Sequence, residues 1–521
     1  MPSWLEPKPQ LTEHDLDHGI RLLTLDGVCS QAMGTLVGGA FLVAFALQAG
    51  ASNAVIGALA AVGPVSQLAQ LPAIAIINRL RRRKAVAVAT ALASRLTWLL
   101  IALSPWLLPR SWWVPTLLAG LVVASILGTV SGAAFNSWMR DFVPEARMGV
   151  IVGRRLGIAT AASAAVGLAA GLAVDRLTDA RPRPIEPYAA VLLAGAAIGL
   201  AGLWFLGRVP EPAMHPPPAR PLRDILLQPL RDRNYRNLIR FLGVWNFAVN
   251  LAAPFFVVYM LRRLGFTMGV VIALPVLSQG VNALALRAWG TVADRFGNKS
   301  VLDVAGGLFL LSILLWPFAG VRPGAGHVLA LAAAIHVLAG LSTAGVTLCA
   351  GNIALKFAPR GEATAYLATN AIWSGAMAAL APLAAGAAAD RLVTQQVQLN
   401  IRWISTAGGP GSLTLTPIDL RGLDFLFLLA FLVGLYAMHR LLAVREAGEE
   451  TSERAVVLAF YAEVRRGLQH VSNVPGLRQL TEFPFAILAN VFPERRRRRR
   501  RRHEDAPAGD GHPRPAEARS S

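Results

Sequence analysis

The stretch GTVADRFGNK, residues 290–299, is a short charged turn between two long apolar runs. These runs lie near 267–293 and 299–319. An α-helix rises about 1.5 Å per residue, so about 20 apolar residues cross the hydrocarbon core of a bilayer. The stretch therefore predicts two membrane-spanning helices joined by a tight turn at the membrane surface.

Apolar runs of similar length recur along the rest of the chain. The other ten are predicted near 24–48, 52–77, 84–108, 111–139, 150–174, 187–208, 236–262, 325–355, 362–389 and 422–442. Helix is the expected state because backbone in contact with lipid must satisfy its own hydrogen bonds. We see none of the short alternating strands of a membrane barrel. The sequence predicts an all-α polytopic membrane protein with about 12 transmembrane helices.

The composition excludes a water-soluble enzyme or binding domain. Of 521 residues, 54% are hydrophobic and only 15% are charged, with a mean hydropathy of +0.49. Soluble domains carry about 25% charged residues. The net charge of +20 lies in loops and in an unbroken run from Arg495 to Arg502. No folded basic face with interleaved aromatic residues is apparent, so we expect no specific nucleic-acid partner.

The charged loops predict the orientation in the membrane. Basic residues follow the predicted helices 2, 4, 6, 8 and 10: Arg79, Arg81, Arg82, Arg83, Lys84, Arg140, Arg147, Arg208, Arg220, Arg223, Arg231, Arg233, Arg236, Arg295, Lys299, Lys356 and Arg360. The positive-inside rule then places both termini in the cytoplasm. The polar, acid-rich start lacks the features of a signal peptide. Alanine- and arginine-rich usage favours a bacterial inner membrane.

Prolines and charge divide the chain into five parts. These are a cytoplasmic N-terminus, a six-helix bundle, a Pro/Arg-rich linker, a second six-helix bundle and a basic tail, at 1–23, 24–208, 209–235, 236–442 and 443–521. The loop at 390–421 is predicted to be an external excursion. The tail contains an amphipathic stretch near 452–470 and a partly disordered end. Its arginine run is predicted to bind anionic lipids.

The two bundles repeat each other at an offset of 215 residues. At this offset Phe142, Pro144, Gly171, Asp175, Arg176 and Leu177 fall on Phe357, Pro359, Gly386, Asp390, Arg391 and Leu392. The matches occupy corresponding places after helices 4 and 10 and at the ends of helices 5 and 11. Six helices per half make the repeats parallel, related by an axis along the membrane normal.

The opening stretch resembles the signature loop of the major facilitator superfamily. Its pattern is G-x-x-x-D-R-x-G-x-K, with Gly290, Asp294, Arg295, Gly297 and Lys299 at the fixed positions. The first-half copy is degenerate and has no acid in the place of Asp294. The resemblance covers about 24–442. It implies two six-helix bundles around a central cavity and transport by alternating access.

The resemblance also implies a gate on the cytoplasmic face. Asp294 is expected to approach Arg154 and Arg155 at the start of helix 5, and Lys356 at the end of helix 10. Such contacts would form in one state and break in the other. Contact with lipid headgroups is an equally open interpretation for the two arginines.

Polar side chains inside membrane spans are candidate cavity residues. The resemblance implies that helices 1, 4, 7 and 10 line the cavity. These helices and helices 2, 8 and 11 offer Gln31, Asn136, Trp245, Asn246, Asn250, His336, Gln67, Gln279, Asn282, Asn370 and Trp373. For any single amide, contact between helices is as plausible as contact with substrate. His336 is interpreted either as a proton relay or as a neutral, hydrogen-bonded histidine.

Three charged residues inside the predicted spans need a partner or water. Arg95 and Arg287 are candidates for an anionic substrate group, with snorkelling to the interface as the alternative. Asp26, at the predicted start of helix 1, is the best candidate for a proton-coupling acid. Its alternative is an acid favoured by the helix dipole.

Three function classes remain open. A secondary transporter of a small molecule, with proton coupling undecided, is the favoured prediction. A membrane-embedded enzyme is disfavoured because no catalytic motif and no ATP-binding motif is apparent. The third class is a transporter-like sensor or assembly factor. We expect a monomer without metal or cofactor; Cys29 and Cys349 lie far apart in apolar stretches.

Overall fold

A computed structural model describes residues 8, 11–178, 185–214, 229–320, 325–359, 363–405, 411–446 and 453–471. The chain divides into a large unit that ends at Val457 and a small unit that begins at Leu458. The large unit contains all the membrane-spanning helices described below. The predicted lipid-binding run from Arg495 to Arg502 lies outside the described residues.

Twelve helices in the described residues are long and apolar enough to cross a membrane, as the sequence predicts. We label them α1–α12: Glu13–Gln48, Asn53–Leu80, Arg83–Leu107, Arg110–Phe142, Met148–Thr178, Glu186–Leu206, Arg233–Arg262, Met268–Phe296, Asn298–Ala319, Gly326–Lys356, Ala365–Leu392 and Leu423–Leu441. Helices α1–α6 form the first half and α7–α12 the second half. Helices α2 and α11, and α5 and α8, pack against each other across the two halves.

The first helix begins earlier than the sequence analysis predicts. It starts at Glu13 rather than near residue 24, because Thr12 and Asp15 form a capping box. Asp26 is therefore not at the helix start but about three and a half turns inside it, and it is buried. The helix is interrupted at Gly38, and Gly39 has φ +49°, so the span consists of Glu13–Val37 and Gly39–Gln48.

The predicted external loop contains a β-hairpin. Strand β1, Gln396–Ser405, pairs antiparallel with strand β2, Gly411–Arg421, with Gln396 opposite Arg421. Asp419 accepts hydrogen bonds from Arg421 and Gln396, both at 2.8 Å. The hydrogen bond from Arg421 is the main reason that the pKa of Asp419 is lowered. We call the side of the molecule that carries this hairpin the hairpin face.

The opposite side is called the linker face, because the linker after α6 starts there. The described part of the linker, 209–214, runs beside the start of α3. The linker ends at Arg233 in α7, close to the predicted boundary at 235. The predicted amphipathic stretch forms a helix, α13, at Glu453–Val471.

Candidate substrate cavity and gates

Two carboxylates on the hairpin face join the two halves. Asp175, near the end of α5, accepts hydrogen bonds from the backbone N–H groups of Met268 at 2.6 Å and Gly269 at 2.7 Å, which begin α8. Asp390, near the end of α11, accepts from the first two N–H groups of α2, both at 2.9 Å. These N–H groups have no partner inside their own helix, and the helix dipole favours a negative charge there. We call these contacts the interhalf clamps.

Glycines bring the clamped helices close together. A Cβ atom at Gly386 would lie 2.6 Å from the backbone oxygen of Asn53, and one at Gly171 would lie 3.2 Å from the Cα of Gly269. Small residues at such positions let helix backbones approach. The glycine and the aspartate of each clamp are one turn apart, so each end of the cross-half contact is a Gly-x-x-x-Asp segment.

A cavity of 670 Å³ lies between the halves next to the clamps. Ile56 and Ile272, one turn inside the clamped helix starts, form part of its wall. The remaining wall comes from α1, α2, α5, α7 and α8 and is mostly small or aliphatic. Its polar side chains are Gln31, Thr35, Thr160, Ser163 and Gln279. Of the predicted cavity residues, Gln31 and Gln279 therefore line this space.

A second cavity, of 450 Å³, lies inside the first half and contains three charged side chains. Asp26 accepts a hydrogen bond from Ser30 at 3.3 Å and forms an ion pair with Arg155 at 3.5 Å. Arg155 also donates to the backbone oxygen of Leu23 at 3.0 Å. Arg95 reaches the same cavity, where its Nη2 lies 3.4 Å from the Ser30 hydroxyl. The cavity therefore brings together two of the predicted buried charges and one predicted gate residue.

The motif loop on the linker face is held by an acid that the sequence analysis did not select. Glu446, which follows α12, accepts hydrogen bonds from the Lys299 backbone N–H at 2.8 Å, from Asn298 Nδ2 at 3.0 Å and from Lys356 Nζ at 2.8 Å. Burial alone would raise the pKa of Glu446, but these three hydrogen bonds together lower it. Gly297 has φ +88°, and a Cβ atom there would lie 3.2 Å from the Glu446 carboxylate.

The first half contains a corresponding arrangement. Glu211, which follows α6, accepts hydrogen bonds from the backbone N–H groups of Arg83 at 2.7 Å and Lys84 at 3.2 Å, which begin α3. The Arg83 guanidinium forms an ion pair with Asp141 in α4. Arg81, which occupies the place of Gly297, has a positive φ of +52°. The degenerate copy therefore keeps the backbone conformation and the acid after the sixth helix.

The predicted contacts of Asp294 are not formed in this conformation. Asp294 is exposed and has no hydrogen-bond or ion-pair partner among the described residues, and Arg154 is also exposed. Arg155 is paired with Asp26, and Lys356 with Glu446. Arg295 lies over the ring of Phe296. Whether Asp294 meets these residues in another state stays a prediction.

The other predicted amides lie outside the 670 Å³ cavity. Asn136 and Gln67 line a separate polar cavity of 390 Å³ between α2 and α4. Asn246 and Asn250 in α7 donate to backbone oxygens one turn earlier in their own helix, both at 2.8 Å. Asn370 accepts from Ser374, also one turn away, at 3.1 Å.

The remaining predicted residues are distributed between the core and the surface of the second half. Trp245 packs against Phe309. His336 is buried, contacts the Ala332 backbone oxygen at 2.9 Å and packs against Trp316. A sentence of positions covers the others: Asn282 is half-buried, Arg287 is exposed and Trp373 is exposed beside Arg236 and Arg240. None of these places them in the two cavities above.

Two six-helix halves, a cavity between them and acid-capped helix starts at both faces define a membrane transporter. The model of the Major Facilitator Superfamily matches residues 25–382, and the chain belongs to that superfamily. No curated protein matches the chain at a significant level.

Solved transporters share this fold at low sequence identity. A mutant of the nucleoside transporter NupG is 11% identical with a TM-score of 0.65, over 83% of this chain and 100% of that one. A bacterial homologue of the iron transporter ferroportin, in the inward-facing state, is 13% identical with a TM-score of 0.57, over 84% and 100%. A D-xylose-proton symporter is 15% identical with a TM-score of 0.57, over 84% and 99%. These likenesses concern the fold.

Proposed function

We propose that this protein is a secondary active transporter that moves a small molecule across the bacterial inner membrane by alternating access. The linker face is proposed to be cytoplasmic, following the basic loops that precede α3, α7 and α9. The observation that carries the proposal is the cavity between the halves, closed at one face by contacts between the halves. In this proposal the chain is not an enzyme and needs no cofactor.

The clamps support an inward-facing state. Both interhalf clamps lie on the hairpin face, and both use reversible hydrogen bonds to helix starts. On the linker face, Asp294 and Arg154 stand exposed rather than paired. An outward-facing state would open the clamps and bring Asp294 towards α5. The ferroportin homologue with the same fold was solved in an inward-facing state.

Asp26 is the proposed proton-coupling acid. It is buried at 3% exposure in a cavity, and its ion-pair partner Arg155 belongs to another helix. Protonation would remove the charge that holds α1 to α5, so the two helices could separate. Charged residues inside membrane spans are costly and are kept for such pathways.

Uptake into proteoliposomes tests the proposal. A panel of nucleosides, sugars and organic anions is offered with and without a pH gradient of one unit, which supplies about 1.4 kcal/mol per proton. We expect gradient-driven accumulation of at least one compound. Asp26→Asn should abolish this accumulation but keep exchange at equal pH. Asp17→Asn is the matched control, because Asp17 is an exposed acid on the same helix.

Two results would contradict the proposal. Full gradient-driven accumulation in Asp26→Asn would remove Asp26 from coupling. No movement of any compound, in vesicles where the protein is folded and correctly inserted, would favour the transporter-like sensor or assembly factor.

A further inference from the structure

The charged cavity inside the first half holds one positive charge in excess. Its only ionisable side chains that carry a charge at neutral pH are Asp26, Arg95 and Arg155. Asp26 and Arg155 form an ion pair, which leaves Arg95 without an acidic partner within ion-pair distance among the described residues. Arg95 lies at the centre of α3, where an unpaired charge is costly.

The guanidinium of Arg95 is under-used as a donor. Its one hydrogen bond in the described residues is a long one of 3.4 Å, from Nη2 to the Ser30 hydroxyl. Its Nε is shielded from solvent and has no hydrogen-bond partner. A buried donor without an acceptor destabilises the protein, and such exceptions usually mark a functional site. An arginine fork matches a carboxylate, sulfonate or phosphate group.

The charged cavity is continuous with the cavity between the halves. Gly34 lines both spaces, which measure 450 and 670 Å³. The interhalf cavity is mostly aliphatic, with side chains such as Leu59, Val257 and Val276. One ligand can therefore place a charged group beside Arg95 and an apolar body between the halves.

We infer that the transported substrate is an amphiphilic organic anion, whose anionic group binds Arg95 and whose apolar body fills the interhalf cavity. This inference rests on the proposed function and names the substrate class for it. The Asp26–Arg155 pair lies in the same cavity. Neutralising Asp26 would release Arg155 as a second donor for the anion, which links proton binding to anion binding.

Calorimetric titration of the purified full-length protein in detergent tests the inference with two probes of the same shape. Naphthalene-2-sulfonate carries a fixed negative charge, whereas naphthalene-2-sulfonamide is neutral at pH 7. A charge-assisted hydrogen bond in a secluded site should favour the sulfonate about 10- to 100-fold. No binding of the sulfonate, or equal binding of both probes, would overturn the inference.

Variants of Arg95 assign the preference to this side chain. Arg95→Gln should remove the preference, Arg95→Lys should keep part of it, and Asp26→Asn should increase sulfonate affinity. Arg110→Gln is the matched control, because it removes an exposed positive charge outside both cavities. Arg95 has no ion pair to lose, so Arg95→Gln should be as thermally stable as the wild type. A preference that survives in a folded Arg95→Gln would refute the site.

A lipid headgroup has the same chemistry as an amphiphilic anion. The titration is therefore repeated in nanodiscs of phosphatidylcholine alone and with added phosphatidylglycerol. Weaker sulfonate binding with phosphatidylglycerol would assign the site to lipid and overturn the substrate assignment; equal binding supports it. Arg95-dependent binding without gradient-driven uptake would refute the proposed function alone. Gradient-driven uptake of neutral compounds only, without sulfonate preference, would refute this inference alone.

Discussion

The hairpin face and the linker face use the same device in opposite ways. On both faces an acid accepts hydrogen bonds from the first backbone N–H groups of a helix, and on both faces the device occurs twice. On the hairpin face the acid and the helix belong to different halves, as with Asp175 and α8. On the linker face they belong to the same half, as with Glu446 and α9.

This difference separates contacts that must break from contacts that can persist. Alternating access moves the halves against each other, so the clamps of Asp175 and Asp390 have to open in every cycle. The contacts of Glu211 and Glu446 can stay closed while each half moves as a body. A mutation on the hairpin face should therefore change the balance between conformations, whereas one on the linker face should change stability.

The largest expected effect comes from removing both clamps. The double variant Asp175→Asn, Asp390→Asn loses four charge-assisted hydrogen bonds, together worth on the order of 4–6 kcal/mol. About 5.5 kcal/mol is enough to invert a 99:1 equilibrium. We expect longer distances between spin labels at Leu108 and Val393 in a cysteine-free background. Asp232→Asn, whose acid caps its own helix α7, should leave these distances unchanged.

A smaller effect is expected for Glu446→Gln. The amide loses the ion pair with Lys356, so the thermal stability should fall by about 1–3 kcal/mol without any change in the spin-label distances. Glu211→Gln is the matched variant of the first half. A shift in distance for either variant would show that the linker-face contacts also take part in the conformational change.

The pH dependence of Glu446 sharpens the same test. Its pKa in the folded protein lies below the ordinary value of 4.5. Stability from this group is therefore complete above pH 4.5 and is lost as pH falls through the folded pKa. The wild type should lose more stability than Glu446→Gln in thermal unfolding between pH 6 and pH 3. Equal losses would contradict the assignment.

The smallest expected effect concerns the degenerate loop. Arg81 adopts φ +52°, which costs an L-residue about 1–2 kcal/mol, whereas glycine adopts it freely. Because glycine also loses more entropy on folding, we expect Arg81→Gly to stabilise the protein by only about 0.5 kcal/mol. Arg82→Gly, where φ is −132°, should destabilise it. Thermal unfolding of the two variants decides between strain relief and a general effect of glycine.

The sequence predicted the twelve spans and the repeat because both depend on local pattern. Gly171 and Asp175 were found to match Gly386 and Asp390, but their role was not predicted. A repeat shows that two positions correspond, not which helix start each acid meets across the interface. The Asp390 clamp pairs α11 with α2, and only the packing of the halves reveals that.

Three features were missed although the sequence carried a signal. Thr12 and Asp15 form a capping-box pattern that would have placed the start of α1 at Glu13. The segment from Gln396 to Arg402 alternates polar and apolar residues, which is typical of a strand. Glu446 escaped the repeat analysis because the hairpin inserted before α12 changes its offset from Glu211 to 235 residues.

The interruption of α1 gives this protein a second, faster motion. The segment Gly39–Gln48 is joined to the rest of α1 by Gly38 and Gly39, and it contacts both α6 and α7. Such a short segment can swing on a microsecond scale, while rocking of whole halves takes up to milliseconds. We expect relaxation-dispersion signals at Gly39 to be faster than clamp opening, so that a bound molecule is enclosed before the halves commit to turning over.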